Sequence, residues 1–368
     1  MCINQKKRVL EIEYLRGFAI LAVVAIHTTA HFTRMQNMNL LMIINIIIDV
    51  FSHFAVPAFI FISGFVLSIK YNSSLSKKSF YKRRARSIIP QYLLASFFYI
   101  FFGLYLVKDL FEIPSLKIIL FWLVTASSSY HLWFFALIIQ FYLIYPYIIY
   151  FYEQFNLKKQ LILFLLIMFL VQESWIYVKM MIRMHSSLVI NILLERIFCS
   201  HLFYFALGIY TSQNYDYVQK QVIKNKIKLI TLNILFTLII SFYIIKGMMD
   251  FGKYNLIPIL YLKIPNLLET IYFPLTFLLL LLLGITIRDS NNLISNTILL
   301  FGNYSFEIYL IHVAYIEVLR AIVFPRFNIS VNQAFFYIAM FLLTLFLSML
   351  SVYALYFLLN QKKHCSNN

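Results

Sequence analysis

The stretch EIEYLRGFAILAVVAIHTTAHF, residues 11–32, decides the fold. From Leu15 to Ile26 every residue except Arg16 is apolar or glycine. A helix of ~20 mainly apolar residues is long enough to cross a bilayer. The rest of the chain has the same character. Of its 368 residues 62% are hydrophobic and only 12% charged, with 38 Phe and 27 Tyr. Soluble domains run at roughly 45–50% apolar and about 25% charged, and one core could not hide so much apolar surface. The composition excludes a soluble enzyme, a nucleic-acid-binding domain and a disordered chain. It predicts an all-α, polytopic transmembrane helix bundle forming one integral membrane domain over 1–368. Cys2, Cys199 and Cys365 are too few and too scattered for a disulfide framework or a zinc site. Cys2 follows Met1 with no apolar segment before it, so a cleaved lipoprotein signal is not expected, and the first apolar stretch, long and carrying Arg16 and His27, reads as a retained span.

Ten spans are expected, near 14–33, 41–69, 88–107, 131–152, 160–178, 192–211, 229–246, 270–287, 298–320 and 332–360. Leu116 to Val124 is apolar but short and reads as interfacial or re-entrant. The net charge of +17 supplies the orientation. With ten spans and both termini cytoplasmic, 19 of the 31 basic residues fall inside and 10 outside, seven of the inside ones in the loop 70–87. A span at 116–124 would flip the later segments and weaken the split to 17 and 12. The positive-inside rule favours ten.

Ionisable residues inside spans are costly and therefore mark function. Arg16 and His27 are eleven residues apart, which is three turns plus about 20° of rotation, so both project from one face with ~16 Å between them along the axis. They read as two stations along one long substrate: a permanent cation near the cytoplasmic end and a titratable base in the outer half. His31 lies one turn past His27 with no acidic or Cys partner evident, so no metal is expected. The second span carries Asn45, Asp49 and His53 on one face, then Ser63-Gly64, which allows close approach of another helix or of a ligand. His131 and Trp133 open the fourth span at its outer boundary. Glu307 and His312 are buried in the ninth.

Together these residues resemble the signature of the acyltransferase 3 family of integral membrane acyltransferases. Arg16-x10-His27 matches its first-span motif, and FIFISGF (59–65) its F-x-x-SGF segment. Arg83-x-x-Arg86-x3-Pro90 matches its basic cytoplasmic motif, with Arg84 leaving the register open by one position. His131-Leu132-Trp133 matches its HLW element, and the run from Gly302 through Ser305, Phe306, Ile308, Tyr309 and Leu310 to His312 its late GxxSYxIYLxH segment. Five motifs occur in order over almost the full length. HLWFFALIIQFYLIYPYI and HLFYFALGIY also resemble, more loosely, membrane proteins of poly-N-acetylglucosamine synthesis loci that O-succinylate the polymer.

The resemblance implies transfer of an acyl group, acetyl or succinyl, from cytoplasmic acyl-CoA (acetyl-CoA or succinyl-CoA) to a hydroxyl of a cell-surface or exported polysaccharide. Arg83, Arg84 and Arg86 would meet the donor's phosphates, with Ser63 on the donor path. A sugar hydroxyl needs a general base, and His27 is the expected one. Ser63, Trp133 and Tyr309 are candidate donors to the thioester oxygen, Glu307 could orient a histidine as in a triad, and His131, Trp133, Tyr309 and His312 fall on the acceptor side. Partners would be the acyl-CoA, the glycan, the lipid bilayer and other polysaccharide-synthesis proteins, with no nucleic acid. The alternatives are a polysaccharide or lipid-linked sugar transporter or flippase, disfavoured by the lack of an internal repeat, and a structural subunit of a synthase. Heavy use of Lys, Ile and Phe points to an AT-rich bacterial genome, and the spans place the chain in the cell membrane as a multi-pass protein.

Overall fold

Every described element is helical, as the apolar composition requires of a chain whose backbone must satisfy itself in lipid. The computed structural model describes residues 9–35, 38–106, 114–155, 157–183, 185–252, 257, 261 and 263–365. Cys2, Lys6, Lys7, Arg8, Lys108 and Lys253, used in the sequence argument, lie outside the described residues. The chain opens with α1 (Leu10–Thr29), α2 (Leu40–Ser52), α3 (Ala55–Lys70), α4 (Lys77–Leu106) and α5 (Leu116–Thr125). It continues through α6 (Trp133–Glu153), α7 (Lys158–Arg183), α8 (Leu188–Leu194), α9 (Leu202–Gln213), α10 (Tyr215–Lys224) and α11 (Lys226–Phe251). Then come α12 (Lys263–Ile287), α13 (Leu293–Asn303), α14 (Ser305–Val318), the short α15 (Phe324–Arg326) and α16 (Ala334–Cys365).

Among the described residues eight helical stretches are long and apolar enough to cross a membrane, and they coincide with eight of the ten expected spans. The other two differ for physical reasons. The first is α1, whose twenty residues carry Glu11, Glu13 and Arg16 in their first two turns. The second, 192–211, is not one helix. α8 stops at Leu194, a 3-10 turn occupies Phe198–His201, and α9 begins at Leu202. Adjacent Glu195 and Arg196 break it, because both find polar partners elsewhere. At ten residues α5 is too short to span.

The chain divides into two compact units, Ile60–Asp216 and the pair of segments Lys7–Phe59 with Tyr217–Asn368. In the second unit α1 is the hub, packed by α2, α12, α13, α14 and α16. Past its charged first turns it is apolar on most sides, with Leu15, Ala19, Ile20 and Val24 fully buried, as expected of a helix packed by several others. α13 lies close: a β-carbon at Gly17 would strike the Ile298 carbonyl oxygen, and one at Gly302 that of Glu13. In the first unit α3 and α9 touch reciprocally. A β-carbon at Gly64 would strike the carbonyl oxygen of Phe205, and one at Gly208 that of Phe61. Beside this seam Phe141 of α6 stacks on Phe205 at 4.5 Å between centroids. The Tyr145 hydroxyl faces the carbonyl oxygens of Tyr71 at 2.5 Å and Leu67 at 3.1 Å.

Candidate active site

In the second unit α1 and α14 present a pair of imidazoles. His27, half-buried, lies ring to ring with fully buried His312, the centroids 5.3 Å apart and the planes 28° from parallel. The Nδ1 of His312 lies 2.8 Å from the Tyr309 carbonyl oxygen and 3.2 Å from that of Ile308. A carbonyl only accepts, so Nδ1 carries the proton and Nε2 is the acceptor nitrogen of the neutral ring. The preceding turn of α14 thus fixes the His312 tautomer. Tyr309, also buried, lies with its ring 6.1 Å from that of His312.

Two turns of α1 toward its start are ionic. The Arg16 Nη1 donates to both carboxylate oxygens of Glu13, at 3.1 and 3.3 Å, one turn earlier on the helix. Glu11 accepts from Arg288, which caps the far end of α12. Glu11 is buried, whereas Arg288 keeps about a third of its side chain exposed. We expect Arg288→Gln to cost about 1–3 kcal/mol, because the buried carboxylate loses its charged donor. The double variant Glu11→Gln with Arg288→Gln should recover part of that loss, read by thermal unfolding in detergent as a double-mutant cycle.

A second polar cluster lies on the other side of α1, since residues 27 and 29 are about 200° apart around the helix. Thr29 donates to Asp49 at 3.1 Å. His53 sits between two carboxylates, Asp49 at 3.0 Å and Glu269 at 3.2 Å. The i, i+4 spacing of Asp49 and His53 announces one half of this contact. Glu269 carries no local signal, because it comes from α12, more than 200 residues away. Asn45, expected on the same face, donates to the Leu41 carbonyl of its own helix.

Glu307 pairs with a residue of α16. It accepts from the Tyr356 hydroxyl at 2.9 Å. Five residues separate it from His312, about 140° around α14, so the two side chains leave on different faces. The backbone carbonyls of Tyr309 and Ile308 take the orienting role instead.

The first unit holds the remaining candidates. Arg84 donates to the Tyr71 hydroxyl at 3.0 Å and lies over the rings of Tyr71, Phe80 and Tyr142 at 5.5, 5.9 and 5.5 Å. Arg83 and Arg86 are exposed on the same stretch of α4. Arg83 also lies over the Tyr71 ring at 5.5 Å, so Arg84 is set apart by its hydrogen bond to Tyr71 and its further contacts with Phe80 and Tyr142. Burial works to raise the Tyr71 phenol, but the Arg84 hydrogen bond and the charges of Arg84, Lys70 and Arg83 prevail and hold it below its ordinary value. Ser63 is half-buried on α3 beside the Gly64 contact. His131 is buried just before α6, with Nδ1 3.0 Å from the Ser129 hydroxyl and its ring edge-on to Tyr99 at 4.8 Å. Trp133 starts α6, its ring 6.2 Å from that of His201.

Arg16, His27, Glu307, Tyr309 and His312 thus belong to the second unit, and Ser63, Arg83, Arg84, Arg86, His131 and Trp133 to the first. No curated protein and no solved structure matches the chain. The acyltransferase 3 family model, described as an acyltransferase domain, matches residues 9–353 and so runs through both units. This multi-helical membrane protein, with its paired histidines on α1 and α14, belongs to the acyltransferase 3 family.

Proposed function

We propose that this membrane acyltransferase moves an acetyl or succinyl group from cytoplasmic acyl-CoA to a hydroxyl of a cell-surface or exported polysaccharide, with His27 as general base. The observation that carries the reading is the His27–His312 pair, two imidazoles ring to ring, with His27 on the helix that also bears Arg16 and His312 on α14. A sugar hydroxyl is far too weak an acid to attack unaided, and a positioned imidazole is the usual remedy. His27 takes the hydroxyl proton as the oxygen bonds to the thioester carbonyl carbon. The tetrahedral intermediate expels the CoA thiolate, which accepts that proton, leaving an ester and free CoA thiol. His312, its proton committed to the helix carbonyls, holds the His27 ring in one orientation. Both termini are cytoplasmic and the membrane is a bacterial cell membrane in this reading. It is supported by the excess of Lys and Arg on one set of loops.

Arg83 and Arg86 are the proposed donor cations, and Arg84 serves the fold through its aromatic surroundings. Arg83→Ala with Arg86→Ala should raise KM for acyl-CoA by roughly tenfold or more, as expected when charge-assisted hydrogen bonds to phosphate are lost. kcat should change little. Arg84→Ala should instead lower the unfolding temperature.

The deciding assay uses purified protein in detergent with acetyl-CoA or succinyl-CoA and a glycan, following release of CoA thiol and formation of a glycan ester. Thiol release that requires the glycan supports the proposal. Glycan movement across proteoliposomes without ester formation would replace it with a transporter.

A further inference from the structure

The break between α8 and α9 is the least economical part of the first unit. Arg196 lies half-buried there, and its Nη1 donates to the Ser127 hydroxyl at 2.9 Å. Neighbouring Glu195 does not neutralise it, because that carboxylate pairs with Lys179 at 3.1 Å and Arg183 at 2.5 Å. No carboxylate of the described residues forms a salt bridge with Arg196. Gln140 pins the segment to α6, donating to the Arg196 carbonyl at 2.6 Å and accepting from the Phe198 amide at 3.3 Å. Trp133, two turns earlier on the same face of α6, meets His201 at the end of the break. Three buried polar atoms lie along this segment and the facing turn without a hydrogen-bond partner: Ser128 Oγ, Ser200 Oγ and His201 Nδ1.

An uncompensated cation and orphaned polar atoms inside a membrane bundle are costly, and each orphan forfeits hydrogen bonds that water or a ligand would make. Arginine presents a planar fork suited to phosphate or carboxylate oxygens. A tryptophan beside it offers an apolar face to a sugar ring. We propose that this break is a recognition site for an oxyanion attached to a sugar: Arg196 binds the anionic group, the orphaned hydroxyls and His201 meet sugar hydroxyls, and Trp133 packs against the ring. The proposal rests on the reading that the acceptor is a glycan, and it makes that acceptor anionic or carried on a phosphate.

The test measures binding without acyl-CoA, so failure of acyl transfer and failure of this site are separate results. Purified protein in detergent is titrated with glucose 1-phosphate, with glucose, and with a polyprenyl phosphate, followed by thermal unfolding and native mass spectrometry. Glucose 1-phosphate should bind and stabilise while glucose does not. Arg196→Gln should weaken binding by roughly 10- to 100-fold, the loss of a charge-assisted hydrogen bond, with Arg196→Lys between it and the native protein. Ser127→Ala removes the tie between turn and break but leaves the cation, and should bind within a few-fold of native. Binding of both phosphates, with the polyprenyl phosphate displacing glucose 1-phosphate, assigns the oxyanion to a lipid carrier. Binding of glucose 1-phosphate alone assigns it to the glycan. No binding of either phosphate, or native affinity in Arg196→Gln, overturns the site and leaves Arg196 as a clamp between the break and the 126–132 turn.

Discussion

His27→Ala is expected to lower kcat for acyl transfer by about 10²- to 10⁴-fold, the usual contribution of a positioned general base. KM for acyl-CoA should stay near native, because the donor's charged groups are assigned to α4. The fold should survive. His27 is half-buried and its ring rests on His312, a stacking contact worth about 0.5–1.5 kcal/mol. The comparison that sharpens the result is His312→Ala. That change empties a fully buried position on α14 and frees the Tyr309 carbonyl, so it should lower both kcat and the unfolding temperature. A His27→Ala protein that folds, inserts and acylates normally would remove His27 from the chemistry.

The largest structural effect is expected from Gly208→Leu. Its β-carbon would land on the Phe61 carbonyl oxygen and 2.9 Å from the Phe65 amide nitrogen. Both obstacles are backbone, so no rotamer change relieves the clash, and α3 and α9 must separate. Overpacking a core commonly costs about 1–3 kcal/mol, and this site should reach or exceed the top of that range. Gly103→Leu is the control, since nothing lies within 4 Å of a β-carbon there. Thermal unfolding in detergent should show a large drop for the first and almost none for the second. Equal melting temperatures would mean that the reciprocal glycine contact does not hold the first unit together.

Local pattern carried much of this structure. Long apolar runs place eight spanning helices, and the short run at 116–124 becomes the ten-residue α5. Ser63-Gly64 announces a close approach, but its partner Gly208 lies 144 residues away and no local spacing points to it. The same limit hides the facing of His27 and His312, which are 285 residues apart. Glu269 is invisible for the same reason. The break at 195–201 did have a signal: Glu195 and Arg196 are adjacent charges inside an otherwise apolar stretch, and two neighbouring charges at membrane depth point in different directions around a helix. That Glu307 and His312 leave α14 on different faces was legible in the sequence, as an offset of five residues.

The hub position of α1 also sets an order of assembly. α1 is made before the helices that enclose it, and four of them, α12, α13, α14 and α16, follow more than 200 residues later. Glu13 and Arg16 pair within α1 itself, but Glu11 must wait for Arg288 while more than 200 residues are synthesised. The first unit is continuous from Ile60 to Asp216 and can close within that interval. The helix that bears His27 is in this sense made well before most of the helices that house it. Catalytic competence then arrives as a late event, after the C-terminal helices have inserted.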